Sequence, residues 1–124
     1  MSVFLYIKVM KTYIVVRLQI EAMHNFPKAK EIFPEVGFLA DRHRHIFHFE
    51  LKKEVFHDDR DVEFLLFKRE VEKYIKSQYW STANQVCEFE HRSCEMLAKE
   101  LLQKFDCVQV SVFEDGENGA VVEI

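Results

Sequence analysis

The stretch that most constrains the fold reads Asp41-Arg42-His43-Arg44-His45-Ile46-Phe47-His48-Phe49. Its alternation of side chains predicts a β-strand over residues 43–57, because residues two apart on a strand point to the same face. His43 and His45 then share one face with the phenylalanines of the stretch, and Arg44 takes the other face. The two imidazole rings are therefore expected to converge on one point.

A third histidine, His24, lies upstream, so that four of the six histidines fall between residues 24 and 48. A buried imidazole needs partners for its ring nitrogens. Three neutral imidazoles from His24, His43 and His45 suit zinc and leave a fourth position open for water or a ligand, with Glu50, Asp41 or a backbone carbonyl orienting them. The alternative is that each ring merely hydrogen-bonds a neighbour, and the spacing alone leaves both interpretations open.

The bulk composition predicts one globular domain over residues 1–124, with residues 1–9 as a loose extension. The chain is 48% hydrophobic and 31% charged, which is ordinary for a soluble protein. Its formal charge of -4 gives no general attraction to nucleic acid or to acidic membrane surfaces. Charged residues interrupt the apolar start, which argues against a signal peptide or membrane span. An odd number of cysteines, three, without paired spacing fits the cytoplasm.

Hydrophobic periodicity predicts four strands and two helices. Ser93 is the expected N-cap of the second helix, with Glu95 in its first turn. The order is ββααββ, which predicts an α+β fold with a four-stranded antiparallel sheet and both helices on one face. In the first half of the chain we expect a strand over 13–22, a connection over 24–42 with one helical turn at 28–32, and the strand over 43–57. A helix over 61–78 and a polar connection over 81–92 follow. After the second helix we expect a strand over 107–113, a hairpin turn over 115–119 and a strand over 120–124.

Four short motifs within residues 13–124 resemble those of the tunnelling-fold family, most of all 6-pyruvoyl-tetrahydropterin synthase and 6-carboxy-tetrahydropterin synthase. They are Ala22-Met23-His24, His43-Arg44-His45, Arg92-Ser93-Cys94-Glu95 and Val112-Phe113-Glu114. The resemblance implies that His24, His43 and His45 bind one zinc ion and that Glu114 anchors a pterin. It also implies assembly into a barrel-forming homo-oligomer with sites between subunits.

The chain departs from the family pattern where the family carries its acid and base groups. The catalytic cysteine is expected within Gly37-Phe38-Leu39-Ala40, which has no thiol, and the Asp-His dyad within Lys73-Tyr74-Ile75-Lys76. Arg44 replaces the glycine usual between the paired histidines. Three functions remain open: a zinc-dependent lyase acting on 7,8-dihydroneopterin triphosphate, a non-catalytic binder of a pterin or purine nucleotide that sequesters or senses it, and a structural oligomer.

Three further candidates each have a plainer alternative. A carboxylate such as Glu114 accepts two N–H donors from the edge of a pterin or guanine. The same sequence pattern is equally expected of a solvated turn residue. Arg42 and Arg44 match phosphate oxygens, yet such residues usually pair with nearby acids. Cys94 falls on the apolar stripe of the second helix, which favours a core position over a catalytic thiol.

Overall fold

The alternating residues of the first half of the chain form two long strands that pair along their whole length. β1 (Thr12–His24) and β2 (His43–Val55) are antiparallel, with Thr12 opposite Val55 at one end and His24 opposite His43 at the other. Period-two burial places their apolar side chains on one face. The register brings the two ends that carry histidines together.

The structure is a computed structural model that describes residues 10–124, so the expected extension at residues 1–9 lies outside the described residues. Between the two long strands lie a helical turn and a 3-10 segment, and the second half of the chain alternates helices with shorter strands. The remaining elements are α1 (Ala29–Ile32), the 3-10 segment Pro34–Ala40, α2 (Phe64–Tyr79), β3 (Trp80–Ser81), β4 (Val86–Glu90), α3 (Cys94–Phe105), β5 (Gln109–Glu114) and β6 (Asn118–Glu123).

The prediction of a four-stranded antiparallel sheet in a ββααββ order is wrong. Within residues 10–124 the sheet has six strands in the order β3-β4-β1-β2-β5-β6, and it is mixed because β4 runs parallel to β1. Of the two extra strands, β4 lies wholly within residues 81–92, which polar side chains had marked as a connection, and β3 begins one residue before that segment. Within that segment Cys87 and Phe89 are buried with a partly buried Glu88 between them, so β4 carries a short period-two pattern that its polar flanks conceal.

Capping residues explain where the two longer helices begin. Glu63 accepts a hydrogen bond from the Leu66 amide at 2.8 Å, so α2 starts at Phe64 rather than at residue 61. Asp61 instead accepts from the Phe56 amide in the preceding turn. Ser93 Oγ accepts from the Met96 amide at 3.1 Å, which confirms the predicted N-cap of α3.

One apolar core lies between the sheet and the two longer helices. The buried side chains come from alternate positions of the strands and from one stripe of each helix, and burial of each large one contributes on the order of 1.5–3 kcal/mol. The largest members include Phe47, Phe49, Leu51, Phe89, Val71, Ile75, Leu101, Val110 and Val112. None of the helices in residues 10–124 is long and apolar enough to cross a membrane.

A tight hairpin joins β5 to β6 and depends on one glycine. Gly119 lies opposite Phe113, and a Cβ at residue 119 would lie 2.0 Å from the Val112 carbonyl oxygen. No side chain fits at that distance without moving the backbone. Asp115 and Gly116 carry positive φ angles of 55° and 72° that close the turn.

Candidate functional site

The core face of the three central strands ends in polar side chains at one edge. Along β1 the buried alternation continues from Ala22 to His24, and along β2 it continues from Phe47 to His45 and then to His43. The rings stand edge to face, with centroids 4.6 Å apart for His24 and His43, 5.2 Å for His24 and His45, and 5.0 Å for His43 and His45. The structure therefore brings the three sequence-predicted histidines together.

The Nδ1 atom of every ring lies within hydrogen-bond distance of an oxygen acceptor. His24 Nδ1 lies 3.0 Å from the Arg92 carbonyl, His43 Nδ1 lies 2.7 Å from the Asp41 carbonyl, and His45 Nδ1 lies 2.7 Å from Asp115 Oδ2. Carbonyl and carboxylate oxygens accept, so each Nδ1 donates. In a neutral imidazole this leaves Nε2 with its lone pair, which is how metal-bound histidines are usually oriented.

Glu114 meets two of the rings from the other side. Its Oε2 lies 3.0 Å from His24 Nε2, and its Oε1 lies 3.6 Å from His45 Nε2. The second atom, His45 Nε2, is buried and has no hydrogen-bond partner among residues 10–124. A neutral imidazole carries one N–H, yet His24 faces an acceptor at each nitrogen. The arrangement needs a positive charge beside Nε2, supplied by a proton or by a metal ion.

The pKa shifts of this pair follow from the same contacts. Burial opposes protonation of His24, but the hydrogen bonds to Glu114 and to the Arg92 carbonyl outweigh it and raise the pKa of His24. The hydrogen bond from His24 lowers the pKa of Glu114 against the effect of its own burial, and the charges of His45 and His43 add to the lowering. Both directions favour an anionic carboxylate facing a cation.

The three imidazoles also come close enough together to form a candidate metal site. One ring nitrogen from each of His24, His43 and His45 lies within 4.8 Å of the others. Ligands bound to zinc at about 2.0–2.1 Å in a tetrahedron lie about 3.4 Å apart. The observed spread of up to 4.8 Å is wider than that separation, so the three rings would have to move closer together to bind one ion, with His24 starting from a buried position.

A cavity of about 820 Å³ opens directly beside the histidines. Its lining combines polar groups of the site with aromatic and aliphatic walls, including His24, Glu114, Arg92, Phe26, Phe33 and Leu39. A second cavity, of about 520 Å³, lies along charged residues such as Arg17, Glu50 and Lys68. We take the first cavity as the candidate site, because it alone of the two adjoins the converging imidazoles.

The two arginines predicted to bind a ligand lie elsewhere. Arg42 donates from Nε to Glu88 at 2.9 Å, and Arg44 pairs with Glu21 on the exposed face of β1. Neither arginine lines the cavity beside the histidines. The pairing with acids that the sequence offered as the plainer alternative is the arrangement observed.

The start of α3 forms one wall of the cavity, and Ser93, Cys94 and Glu95 all line it. Glu95 is exposed in the first turn. Cys94 is buried in the core, as its position on the apolar stripe predicted, and burial together with Glu114 and Glu95 raises the pKa of its thiol to about 12. At neutral pH it is a packed thiol rather than a thiolate nucleophile.

Some of the groups that orient the histidines were predicted from the sequence, and others were not. Asp41 was among the expected partners and contacts His43 through its backbone carbonyl, whereas Glu50 pairs with Arg17 at 2.8 Å on the other face of the sheet. Asp115 was taken for a turn residue, although its carboxylate contacts both His45 and the Ile46 amide. The signal available in the sequence was that Asp115 places a second carboxylate directly after Glu114, the predicted anchor, in the turn facing β2.

Comparison with known proteins supports the fold and names no function. No family model matches this chain, and no curated protein matches it significantly. Among solved structures it is similar to the crystal structure of the uncharacterized protein WS1659 from Wolinella succinogenes, with a TM-score of 0.56 and 12% sequence identity. That match covers 92% of this chain and 98% of the other. At this identity the likeness extends to the fold alone.

Proposed function

We propose that the protein binds zinc through the Nε2 atoms of His24, His43 and His45 and holds a pterin or purine ring in the cavity beside the metal. The observation that carries the proposal is that all three Nδ1 atoms contact oxygen acceptors, which leaves three Nε2 atoms for a common cation. Three imidazoles are a usual donor set for zinc in sites that keep one position for water or substrate.

The charge balance supports a metal ion as well as the distances do. A cation among the three Nε2 atoms would give the buried His45 nitrogen a partner and would balance the charge of the Glu114 carboxylate that faces His24. When bound, zinc would act as a Lewis acid on an oxygen of the organic ligand. His24, His43 and His45 would hold the ion, and Asp115 would orient His45 through Nδ1.

The cavity suits a small planar ligand. Its volume of about 820 Å³ falls in the usual range of ligand pockets. Phe26 and Phe33 lie 6.1 Å apart between ring centroids and offer apolar surface, while Glu114 is 31% exposed and offers a carboxylate to N–H donors. The resemblance to the tetrahydropterin synthases is what singles out a pterin or purine among such ligands.

Binding without turnover is the function that the chemistry of the cavity favours. Cys94 contributes a buried thiol with a raised pKa, and the segment Lys73-Tyr74-Ile75-Lys76 lies within α2 and offers no Asp-His dyad. The second candidate is a zinc-dependent lyase acting on 7,8-dihydroneopterin triphosphate. It draws support from His91, an exposed imidazole on the cavity wall that would serve as the base.

Metal analysis of the purified protein tests the first half of the proposal. We expect stoichiometric zinc in the wild type and its loss in His43→Ala. The matched control is His48→Ala, which removes a histidine from the other face of β2 and should leave the metal content unchanged. Absence of zinc from wild-type protein reconstituted with excess metal would reject the site.

Thermal shifts of the zinc-loaded protein test the organic ligand. Dihydroneopterin triphosphate, guanine nucleotides and cyclic nucleotides are the probes, and a ligand at 100 times its dissociation constant should add about 2.7 kcal/mol of stability. Assay of dihydroneopterin triphosphate by mass then separates a binder, which returns it intact, from a lyase. A flat response to every probe would leave a metal protein without this ligand class.

A homo-oligomer with sites between subunits, and a cytoplasmic location, are part of the same proposal.

A further inference from the structure

We propose that Glu114 supplies the fourth metal ligand while the cavity holds no organic ligand, so that the metal is closed by a carboxylate which an incoming ligand displaces. This inference rests on the proposed zinc site. It gives Glu114 two successive roles, first as a ligand of the metal and then as the acceptor for the N–H edge of the bound ring.

The distances place the carboxylate in the right position for this role. Oxygen and nitrogen ligands of a tetrahedral zinc lie about 3.4 Å apart. The two carboxylate oxygens of Glu114 lie 3.0 Å from His24 Nε2 and 3.6 Å from His45 Nε2, on either side of that value. A metal ion seated among the Nε2 atoms would therefore lie next to this carboxylate.

The backbone fixes where Glu114 can reach. It is the last residue of β5, directly opposite Phe47 of β2, and shares the core face with Val112. The next residue locks the strand end, since the Asp115 amide donates to the Ile46 carbonyl at 2.7 Å and the Asp115 carboxylate accepts from the Ile46 amide at 2.9 Å. The same residue, Asp115, thus contacts His45 and fixes the end of the strand that carries Glu114.

The carboxylate is also free to exchange. Within residues 10–124 its ionic contacts are with the two imidazoles of His24 and His45, and no lysine or arginine of this part of the chain pairs with it. Its side chain is 31% exposed, toward the cavity, whereas His24 is only 9% exposed. A ligand oxygen entering from the cavity would replace the anionic donor, which lies on the cavity wall.

Competition for zinc against a chromophoric chelator tests the role of Glu114. We expect Glu114→Gln and Glu114→Ala to bind zinc at least about tenfold more weakly than the wild type, because each loses an anionic donor. The matched control is Glu117→Gln, which removes the same charge from the same hairpin turn and should bind as the wild type does.

Cobalt substitution gives a second readout that does not depend on affinity. Azide should change the visible absorption of the Co²⁺-loaded Glu114→Gln variant at concentrations at least about tenfold lower than it does for the wild type, since the variant leaves a position open to the anion. Equal zinc affinities and equal azide responses in wild type and variants would overturn the inference while leaving the zinc site intact. Failure of the wild type to bind zinc at all would overturn both.

Discussion

The middle of the β1–β2 pair and its histidine end share the same sheet face and the same regular backbone pairing, yet different forces hold their side chains. In the middle, residues such as Leu18 and Leu51 are buried against the helices by apolar contact alone. At the end, each imidazole is held by an oxygen acceptor that lies outside the strands: Arg92 before α3, Asp41 before β2, and Asp115 after β5.

The difference separates what a substitution in each region should change. Apolar packing has no preferred direction and depends on volume, so a loss in the middle should lower the free energy of unfolding. A hydrogen bond to a ring nitrogen sets orientation, so a loss at the end should lower metal affinity more than stability. The predictions below test that separation, beginning with the largest expected effect.

Leu51→Ala should lower the free energy of unfolding by about 2–5 kcal/mol, because it leaves a void at a fully buried position. Urea unfolding of the metal-free protein measures this, and the folded variant should still bind stoichiometric zinc. Val15→Thr, on the exposed face of β1, is the matched control and should change stability by less than about 0.5 kcal/mol. Loss of zinc from folded Leu51→Ala would break the separation.

Asp115→Asn should weaken zinc binding by about 10- to 100-fold, because the amide no longer holds His45 with an anionic acceptor. Asparagine tolerates the positive φ of 55° at this position, so the turn should survive. Chelator competition measures the affinity, and urea unfolding without metal should change little. A large loss of stability with unchanged zinc affinity would reverse the assignment of this residue.

Ser93→Ala should cost about 1 kcal/mol of stability by removing the N-cap of α3. Because Ser93 directly follows Arg92, whose carbonyl holds His24, this variant sharpens the boundary between the two regions. We expect zinc affinity to change far less than in Asp115→Asn. A comparable drop would mean that the cap also positions the histidine.

Alkaline pH should expose the smallest effect, at the contact between the two longer helices. Burial, with the nearby Glu100 carboxylate, raises the pKa of Tyr74 from 10.0 to about 12, and the Tyr74 hydroxyl donates to Glu100 at 2.8 Å. A raised pKa contributes stability that is fully present below pH 10 and is lost as the pH rises toward 12. In urea unfolding of the metal-free protein, Tyr74→Phe should flatten that decline, and an unchanged slope would contradict the assignment.

The parts of the fold that follow from local pattern could be predicted from the sequence. Alternation put His43 and His45 on one face, and the N-cap at Ser93 and the core position of Cys94 follow from neighbouring residues. The missing strand β4 is stabilised by pairing with β1, a contact between distant residues that its own short pattern does not reveal. Tertiary pairing therefore overrode a polar local signal.

The candidate site divides in the same way. The three histidines could be picked out by residue type and spacing, and Asp41 is close to His43 in the sequence. The contact between Arg92 and His24 joins residues 68 positions apart, and that between Asp115 and His45 joins residues 70 apart. The acids that neutralise Arg42 and Arg44 also come from other strands. Such partners depend on how the strands pair in the sheet, and the number of strands and their all-antiparallel pairing were predicted wrongly.

Gly119 shows how a residue with no side chain can govern the position of a carboxylate. It lets β6 approach the Val112 carbonyl so closely that β5 is pinned along its last residues, up to Glu114. Any side chain there would push the two strands apart and carry the carboxylate away from the imidazoles. We therefore expect this chain to tolerate substitution poorly at Gly119, a position that offers neither a charge nor a donor atom. A search of the sequence for ligand residues alone would not find it.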